Sequence, residues 1–231
     1  GPTPHLAPGE GPTSVSGQPD IFGPFTLLGL IGAGPMGDVH RAICPEGPLQ
    51  GKALALKRYH LPFSRDPAFR AAFFKGAQGA AGRIIPGVSP LLEVGEVDGV
   101  LYPLRPSLPG SSLRALLDHV KAVGGVVSPG LAVGCVLQLA EAMKGIQRGG
   151  SGATNVHGCL KPENILIDSQ GVCTILEYGT AGPLKWGRTE LWWLDPKALP
   201  YLPPETLDDR EAEQQFDVFS LGALLVECLT L

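Results

Sequence analysis

Three glycines within one short segment have the spacing of a loop that covers phosphate groups. Gly32, Gly34 and Gly37 form a G-x-G-x-x-G pattern, and Val39 opens the apolar run that follows. Glycines in such a loop let backbone amides approach phosphate oxygens without interference from a Cβ atom. The segment lies between two β-leaning runs, whereas the dinucleotide-binding fingerprint opens a helix. In a chain with 32 glycines an ordinary turn is the alternative interpretation.

A lysine further along the chain could act on the same phosphates. Lys57 follows the apolar residues Ala53–Leu56, about twenty positions after the glycines. An ammonium group among apolar neighbours at the end of a strand can point into a cleft and contact phosphate oxygens. The alternative is a solvated lysine at a strand end. The position of Lys57 relative to the other motifs decides between a phosphate-binding lysine and a solvated one.

The segment Val156–Ile167, with the sequence VHGCLKPENILI, resembles the catalytic loop of protein kinases. Ala53–Lys57 resembles the V-A-I-K strand of that family, and Glu177–Gly179 stands where Asp-Phe-Gly is expected. Pro203–Glu205 stands for Ala-Pro-Glu, and Asp217–Gly222 resembles the central helix of the C-lobe, whose aspartate anchors the catalytic loop. The resemblance covers residues 24–231 and is closest in character to the bacterial Hanks-type serine/threonine kinases.

The resemblance implies an α+β fold of two lobes, with an antiparallel sheet and one helix in the N-lobe and a mainly helical C-lobe. It also assigns residue roles. Cys159, Lys161 and Asn164 occupy catalytic positions, and Asn164 and Glu177 the metal-binding positions. The positions that would contact ATP are Gly32, Gly34, Gly37, Val39, Lys57, Leu108, Asn164 and Glu177.

Several family positions carry the wrong residue for phosphoryl transfer. Cys159 replaces the aspartate that accepts the substrate hydroxyl's hydrogen bond, and a protonated thiol is a poor acceptor without charge. Glu177 carries its carboxylate one methylene further than the metal-binding aspartate, which an octahedral magnesium ion tolerates badly. Gly76 stands at the position of the helix glutamate, so Lys57 loses its usual partner, and we expect it to pair with Glu177 instead.

Two more departures concern regulation and the adenine pocket. Gly158 replaces the arginine that reads a phosphorylated activation segment. Arg105 falls on the gatekeeper position behind the adenine pocket, where an apolar side chain is usual. His157 is expected to be structural. Lys161 and Asn164 are expected either to brace the loop by hydrogen bonds or to contact phosphate.

The elements that position these residues follow from the pattern of apolar residues and breakers. Residues 1–23 are rich in proline and glycine without apolar periodicity and predict a disordered tail. Residues 24–104 contain about five short β-leaning runs and a helix at 66–83, and form the predicted N-lobe. Residues 105–231 form the predicted C-lobe with three helical patterns. The last of these patterns reaches the end of the sequence, so we expect an incomplete C-lobe.

Composition excludes several other classes of protein. A net charge of −4 gives no basic stripe for nucleic acid, and no apolar run is long enough to predict membrane insertion. The five cysteines have no paired C-x-x-C spacing, which argues against a disulfide framework or a zinc site and favours a reducing cytoplasm.

Three functions fit these residues. The favoured one is a pseudokinase that acts as a scaffold or allosteric regulator of a protein partner, with weak ATP binding and impaired magnesium binding. The second is a divergent but active serine/threonine kinase, since the glycine loop, Lys57 and Asn164 are retained. The third is an interaction domain that binds no nucleotide. A triple variant with Cys159→Asp, Glu177→Asp and Gly76→Glu together could regain phosphoryl transfer.

Overall fold

The computed structural model describes residues 20–149, 155–180, 196–205 and 213–231. The strands are β1 (Asp20–Phe22), β2 (Phe25–Gly34), β3 (Gly37–Ile43), β4 (Leu54–Tyr59), β5 (Glu93–Val97), β6 (Val100–Pro106), β7 (Ser111–Ser112), β8 (Ile165–Ile167) and β9 (Cys173–Ile175). The helices are α1 (Leu61–Arg65), α2 (Pro67–Ala80), α3 (Leu113–Ala122), α4 (Pro129–Arg148) and α5 (Gln214–Thr230), with 3-10 helices at Pro162–Asn164 and Pro196–Tyr201.

The N-lobe is a six-stranded antiparallel sheet in the order β1-β2-β3-β4-β6-β5. Side chains alternate across β4, so Leu54 and Leu56 enter the core while Lys57 faces the opposite side. The hairpin between β5 and β6 turns at Asp98 and Gly99, which both have positive φ, as a tight two-residue turn requires.

The sheet extends beyond the predicted N-lobe at both ends. β1 begins at Asp20, inside the predicted tail, because Phe22 is buried and packs edge-on against Tyr102. Residues 1–19 of that tail lie outside the described part of the chain. β6 continues through Pro106, two residues past the predicted boundary. The ladder survives this proline because the next amide, that of Ser107, donates to the Ala53 carbonyl.

Helix α2 lies where the sequence predicts it, although it ends at Ala80 and not at Arg83. Asp66 caps its first turn by accepting a hydrogen bond from the Phe69 amide, and Pro67 at the first helical position needs no amide donor. Phe69 and Phe73 contact the ring of Tyr59 edge-on. These contacts fix α2 against β4.

The C-lobe is mainly helical, as predicted. Ser112 and Ser128 cap α3 and α4, and α4 packs against α5 around a core that includes Leu139, Ile146 and Leu224. A second sheet, in the order β7-β8-β9, was not predicted because its strands are two or three residues long. No helix in the described part of the chain is long and apolar enough to cross a membrane.

Candidate functional site

A cleft of about 660 Å³ lies between the two lobes. All of the predicted site residues line it: Gly32, Gly34, Gly37, Val39, Lys57, Leu108, Cys159, Lys161, Asn164 and Glu177. The structure therefore brings together side chains from β2, β3, β4, the segment after β6 and the loop around β8. A larger cavity of about 1000 Å³ lies beside α5 and contains none of the glycine-loop residues.

The glycine loop joins β2 to β3 over the cleft. Gly32 and Gly34 have only ordinary van der Waals neighbours, so their small size leaves room on the cleft side. A Cβ atom on Gly37 would lie 2.3 Å from the Arg58 carbonyl oxygen. Gly37 is thus required for the close packing of β3 on β4, whatever the loop binds. The His60 amide donates to the Met36 carbonyl and ties down the tip of the loop.

Lys57 and Glu177 form the ion pair predicted from the sequence. The Lys57 Nζ atom lies 2.7 Å from Oε1 and 2.8 Å from Oε2 of Glu177. The two side chains are 12% and 19% exposed, so the pair is largely shielded from water. Burial opposes ionisation of Glu177, but Lys57, Arg105 and Lys161 together outweigh it and lower the pKa of this carboxyl group. The Glu177 carboxyl group is therefore ionised at neutral pH.

The backbone of Glu177 is in the left-handed region, with φ of 62°. This conformation is unfavourable for a glutamate and is held by the surrounding contacts. The Tyr59 hydroxyl donates to the Thr180 carbonyl at 2.5 Å, and Arg105 contacts the same segment. Glu177–Thr180 is thus fastened to the N-lobe by Lys57, Tyr59 and Arg105.

Arg105 pairs with Ala55 of β4 across the sheet and is only 7% exposed. Its guanidinium group donates to the Ser89 carbonyl at 2.7 Å, to the Tyr178 carbonyl at 2.5 Å and to the Thr180 hydroxyl at 3.1 Å. Burial lowers its pKa to about 10, against the attraction of Glu177. Arg105 remains a cation at neutral pH and joins β6 to the segment that carries Glu177.

The catalytic-loop backbone is anchored from α5. Asp217 accepts hydrogen bonds from the amides of His157 at 2.7 Å and Gly158 at 2.9 Å, as the sequence predicts. The Nε2 atom of His157 lies 2.7 Å from the Leu176 carbonyl, and Nδ1 accepts from the Cys159 amide. Burial lowers the pKa of His157 to about 4 and keeps the ring neutral. His157 is a structural residue.

The position of the family's catalytic aspartate carries a thiol. The Cys159 thiol is buried in an apolar contact with Ala198. Asn164 donates from its side-chain amide to the Cys159 carbonyl at 2.9 Å, which braces the loop. Gly158 has φ of 75°, a conformation that disfavours the arginine usual at this position.

The helix glutamate of the family has no room in this protein. A Cβ atom on Gly76 would lie 2.5 Å from the Gly179 carbonyl oxygen, and one on Gly179 would lie 2.4 Å from the Ala80 Cβ atom. Helix α2 and the Glu177–Gly179 segment therefore touch backbone to backbone. The expectation that Gly76→Glu could contribute to restored activity stays a prediction, and this contact argues against it, because a side chain at position 76 must displace the Gly179 backbone.

Three contacts of Arg83 in this region were not predicted. Arg83 donates to the Gly145 carbonyl at 3.0 Å and the Ile146 carbonyl at 2.8 Å, and it also contacts the Tyr178 hydroxyl. It therefore joins the end of α2 to α4. No sequence motif marks these contacts, since their acceptors are mostly backbone carbonyls, which every residue carries.

Of the two metal-binding positions, only the carboxylate is shown to be engaged elsewhere. Both carboxylate oxygens of Glu177 contact Lys57, whereas Asn164 uses its NH2 group on the Cys159 carbonyl, which is not the atom that a metal ion would bind. Magnesium prefers octahedral oxygen ligands at short distances, and it would have to displace Lys57 to use this carboxylate. No group of three or more His, Cys, Asp or Glu side chains suited to a metal ion occurs among the described residues. With Lys57 in place, the Glu177 carboxylate is not open to a magnesium ion.

Comparison with known proteins identifies the class. A family model described as protein kinase domain matches residues 25–231, so the chain belongs to the protein kinase domain family. It is 31% identical over 218 residues to the serine/threonine-protein kinase PknE of Mycobacterium tuberculosis, covering 94% of this chain and 37% of PknE. The kinase PknD of the same organism is 30% identical over 209 residues, covering 90% of this chain and 30% of PknD.

The fold agrees with solved kinase domains. The crystal structure of the M. tuberculosis PknI kinase domain superposes with a TM-score of 0.71 at 20% identity, covering 91% of this chain and 75% of that one. This likeness shows the fold alone. The predicted kinase-like fold of two lobes and the similarity to bacterial Hanks-type kinases are confirmed. The chain spans less than two fifths of the length of PknE or PknD.

Proposed function

We propose that this domain is a pseudokinase, which serves as a scaffold or allosteric regulator of a protein partner and transfers no phosphate. The ion pair between Lys57 and Glu177 carries the proposal. Phosphoryl transfer depends on a lysine that holds phosphate oxygens and a carboxylate that holds magnesium. Here the two groups neutralise each other. The buried thiol of Cys159 supplies no carboxylate to orient a substrate hydroxyl.

Weak ATP binding forms part of the proposal. Gly32, Val39 and Leu108 line the cleft, and the glycine loop forms one of its walls. Against this, ATP would have to draw Lys57 away from Glu177, and the carboxylate that it leaves would repel phosphate. Arg105, which donates to three oxygen atoms, also fixes the segment that presents Glu177 to Lys57. These contacts favour a low affinity for ATP.

Calorimetric titration of ATP, with magnesium and with a chelator, tests the binding. We expect magnesium to improve the affinity by less than about tenfold, or about 1.4 kcal/mol, because Glu177 is already paired. Glu177→Gln should bind metal-free ATP more tightly than the wild type, since it releases Lys57 and removes the repelling charge. Lys57→Ala is the matched control and should weaken binding.

Other outcomes would favour the alternatives. A magnesium effect above about tenfold would mean that Glu177 and Asn164 form a metal site, and would support a divergent active kinase. Absence of any ATP-induced thermal shift would support an interaction domain without nucleotide.

We place the domain in a reducing cytoplasm, since its five cysteines are all free thiols.

A further inference from the structure

Two cysteines that lie far apart in the sequence meet in the core of the C-lobe. Cys135 lies on α4 and Cys173 is the first residue of β9, and their Sγ atoms are 3.4 Å apart. Cys173 is buried and Cys135 is half-buried, so the pair is reachable from the Cys135 side. No C-x-x-C spacing marks this pair, because the contact is made by the packing of a helix on a strand.

A clamp beside the pair holds the two backbones in register. Gln138, one helical turn after Cys135, accepts from the Cys173 amide at 3.0 Å and donates to the Gly171 carbonyl at 3.0 Å. Asp168 accepts from the amides of Gln170 and Val172 and fixes the turn that leads into β9. The sulfur atoms are therefore held close by contacts that do not involve the sulfurs themselves.

We propose that Cys135 and Cys173 are a redox modification site that a peroxide converts to a disulfide. One thiol ionises, its sulfur attacks an oxygen of the peroxide, and the O–O bond breaks to give a sulfenic acid, while the hydroxide that leaves takes up the released proton and becomes water. The second sulfur attacks the sulfenic sulfur and expels another water. The balance is two thiols and one hydrogen peroxide giving one disulfide and two waters. The sulfur atoms must approach by about 1.4 Å to reach bonding distance.

The charge state of the pair supports this chemistry. The contact between the two sulfur atoms lowers the pKa of the Cys173 thiol, while the same contact and burial raise that of Cys135. A thiol that ionises more readily, beside one that stays protonated, suits sulfenic acid formation and its resolution. The disulfide would join α4 to β9, and Glu177 follows two residues after the end of that strand.

Peptide mapping of the purified, reduced protein after treatment with hydrogen peroxide tests the proposal. Digestion without reductant should combine trypsin with a protease that cleaves after glutamate, since cleavage at Glu163 separates Cys159 from Cys173. We expect a cross-linked Cys135–Cys173 peptide pair, lighter by two hydrogen atoms than the reduced pair. The unfolding temperature of the oxidised protein should rise by roughly 5 to 15 °C and fall back on reduction.

Serine variants provide the controls. Cys135→Ser should abolish both the cross-link and the temperature shift, whereas Cys44→Ser should leave both unchanged, because Cys44 lies in the N-lobe near the Glu46 carbonyl. The proposal is overturned by a Cys173–Cys228 cross-link, by sulfinic acid without any cross-link, or by unreacted thiols. A temperature shift that persists in Cys135→Ser would overturn it as well. The mapping of the wild type decides the matter even if a variant fails to fold.

Discussion

Lys57 and Glu177 show how the loss of one residue is balanced by the change of another. Gly76 leaves Lys57 without a partner on α2, and a largely buried ammonium group without a partner is costly. The extra methylene of Glu177 lets its carboxylate reach Lys57 with both oxygens. The carboxylate that would hold a metal ion in a kinase thus becomes the partner of the lysine.

A double-mutant cycle on this pair measures the coupling. Glu177→Gln should lower the free energy of unfolding by about 2 kcal/mol, because it leaves the charge of Lys57 largely buried. Lys57→Met should also destabilise the domain. The double variant should lose less than the sum of the single losses, by at least about 1 kcal/mol, in urea unfolding. Additive losses would show that the pair is not coupled.

Contacts between two charged side chains could be predicted from the sequence. Contacts between a side chain and a backbone carbonyl could not. The pairing of Lys57 with Glu177 follows from the sequence because few carboxylates face the cleft in this fold. The fastening of Arg105 to the carbonyls of Ser89 and Tyr178 does not, since a carbonyl carries no signature in the sequence. The packing of three segments decides which carbonyls the guanidinium group meets.

At the scale of elements, the close contact between α2 and Glu177–Gly179 depends on glycine. Gly76→Ala should destabilise the domain by about 1 to 3 kcal/mol, because its Cβ atom would meet the Gly179 carbonyl at 2.5 Å. Gly134→Ala on α4 is the matched control, since nothing lies within 4 Å of its Cβ position. That change should be neutral or stabilise by up to about 1 kcal/mol, because alanine favours helix.

Urea unfolding of both variants checks this contrast. Equal stabilisation of Gly76→Ala and Gly134→Ala would contradict the close contact. A loss confined to Gly76→Ala would also explain why a glutamate at this position cannot simply be restored.

The anchored catalytic loop should give the domain a particular pH dependence. The pKa of His157 is about 4 in the folded protein, below its ordinary value of 6.5. Between these values the unfolded chain binds more protons than the folded one, so falling pH destabilises the fold. Protonation of Nδ1 would also break its bond to the Cys159 amide. The wild type should lose about 2 to 3 kcal/mol between pH 7 and pH 4.5 through this residue.

The variant His157→Gln isolates this effect, because glutamine does not titrate in that range. The advantage of the wild type over His157→Gln in urea unfolding should shrink as the pH falls. A constant difference between pH 7 and pH 4.5 would mean that the ring is not held neutral.

Elements with a strong periodic pattern and a cap could be predicted, and short ones could not. Asp66 with Pro67 marks the start of α2, and Asp98 with Gly99 marks the hairpin. The strands β7, β8 and β9 are too short to show any period, and they form because the C-lobe core holds them together. Pro106 made the sequence analysis end the N-lobe strand too early. The strand in fact continues through Pro106, because the amide of Ser107 supplies the next hydrogen bond, to the Ala53 carbonyl just before β4.

The positions that differ from the kinase motifs lie around the same cleft between the two lobes. Cys159 lies under the cleft, Glu177 pairs with Lys57, and Gly76 lets α2 approach the Glu177 segment. Residues that act as a unit are not additive, so repairing one position restores little. Cys159→Asp alone should remain inactive. The triple variant that adds Glu177→Asp and Gly76→Glu should also fail, because the new glutamate displaces the segment that it should support.

Phosphate transfer from radiolabelled ATP is the direct test of whether this domain is catalytically inactive. The purified wild type should be incubated with excess ATP, magnesium and a generic basic protein substrate, beside Lys57→Ala as the control for contaminating kinases. We expect equal, background incorporation in both samples, because a positioned base worth about 10² to 10⁴-fold is absent and the lysine and carboxylate are paired. Incorporation by the wild type that disappears in Lys57→Ala would contradict the pseudokinase function and establish a divergent active kinase.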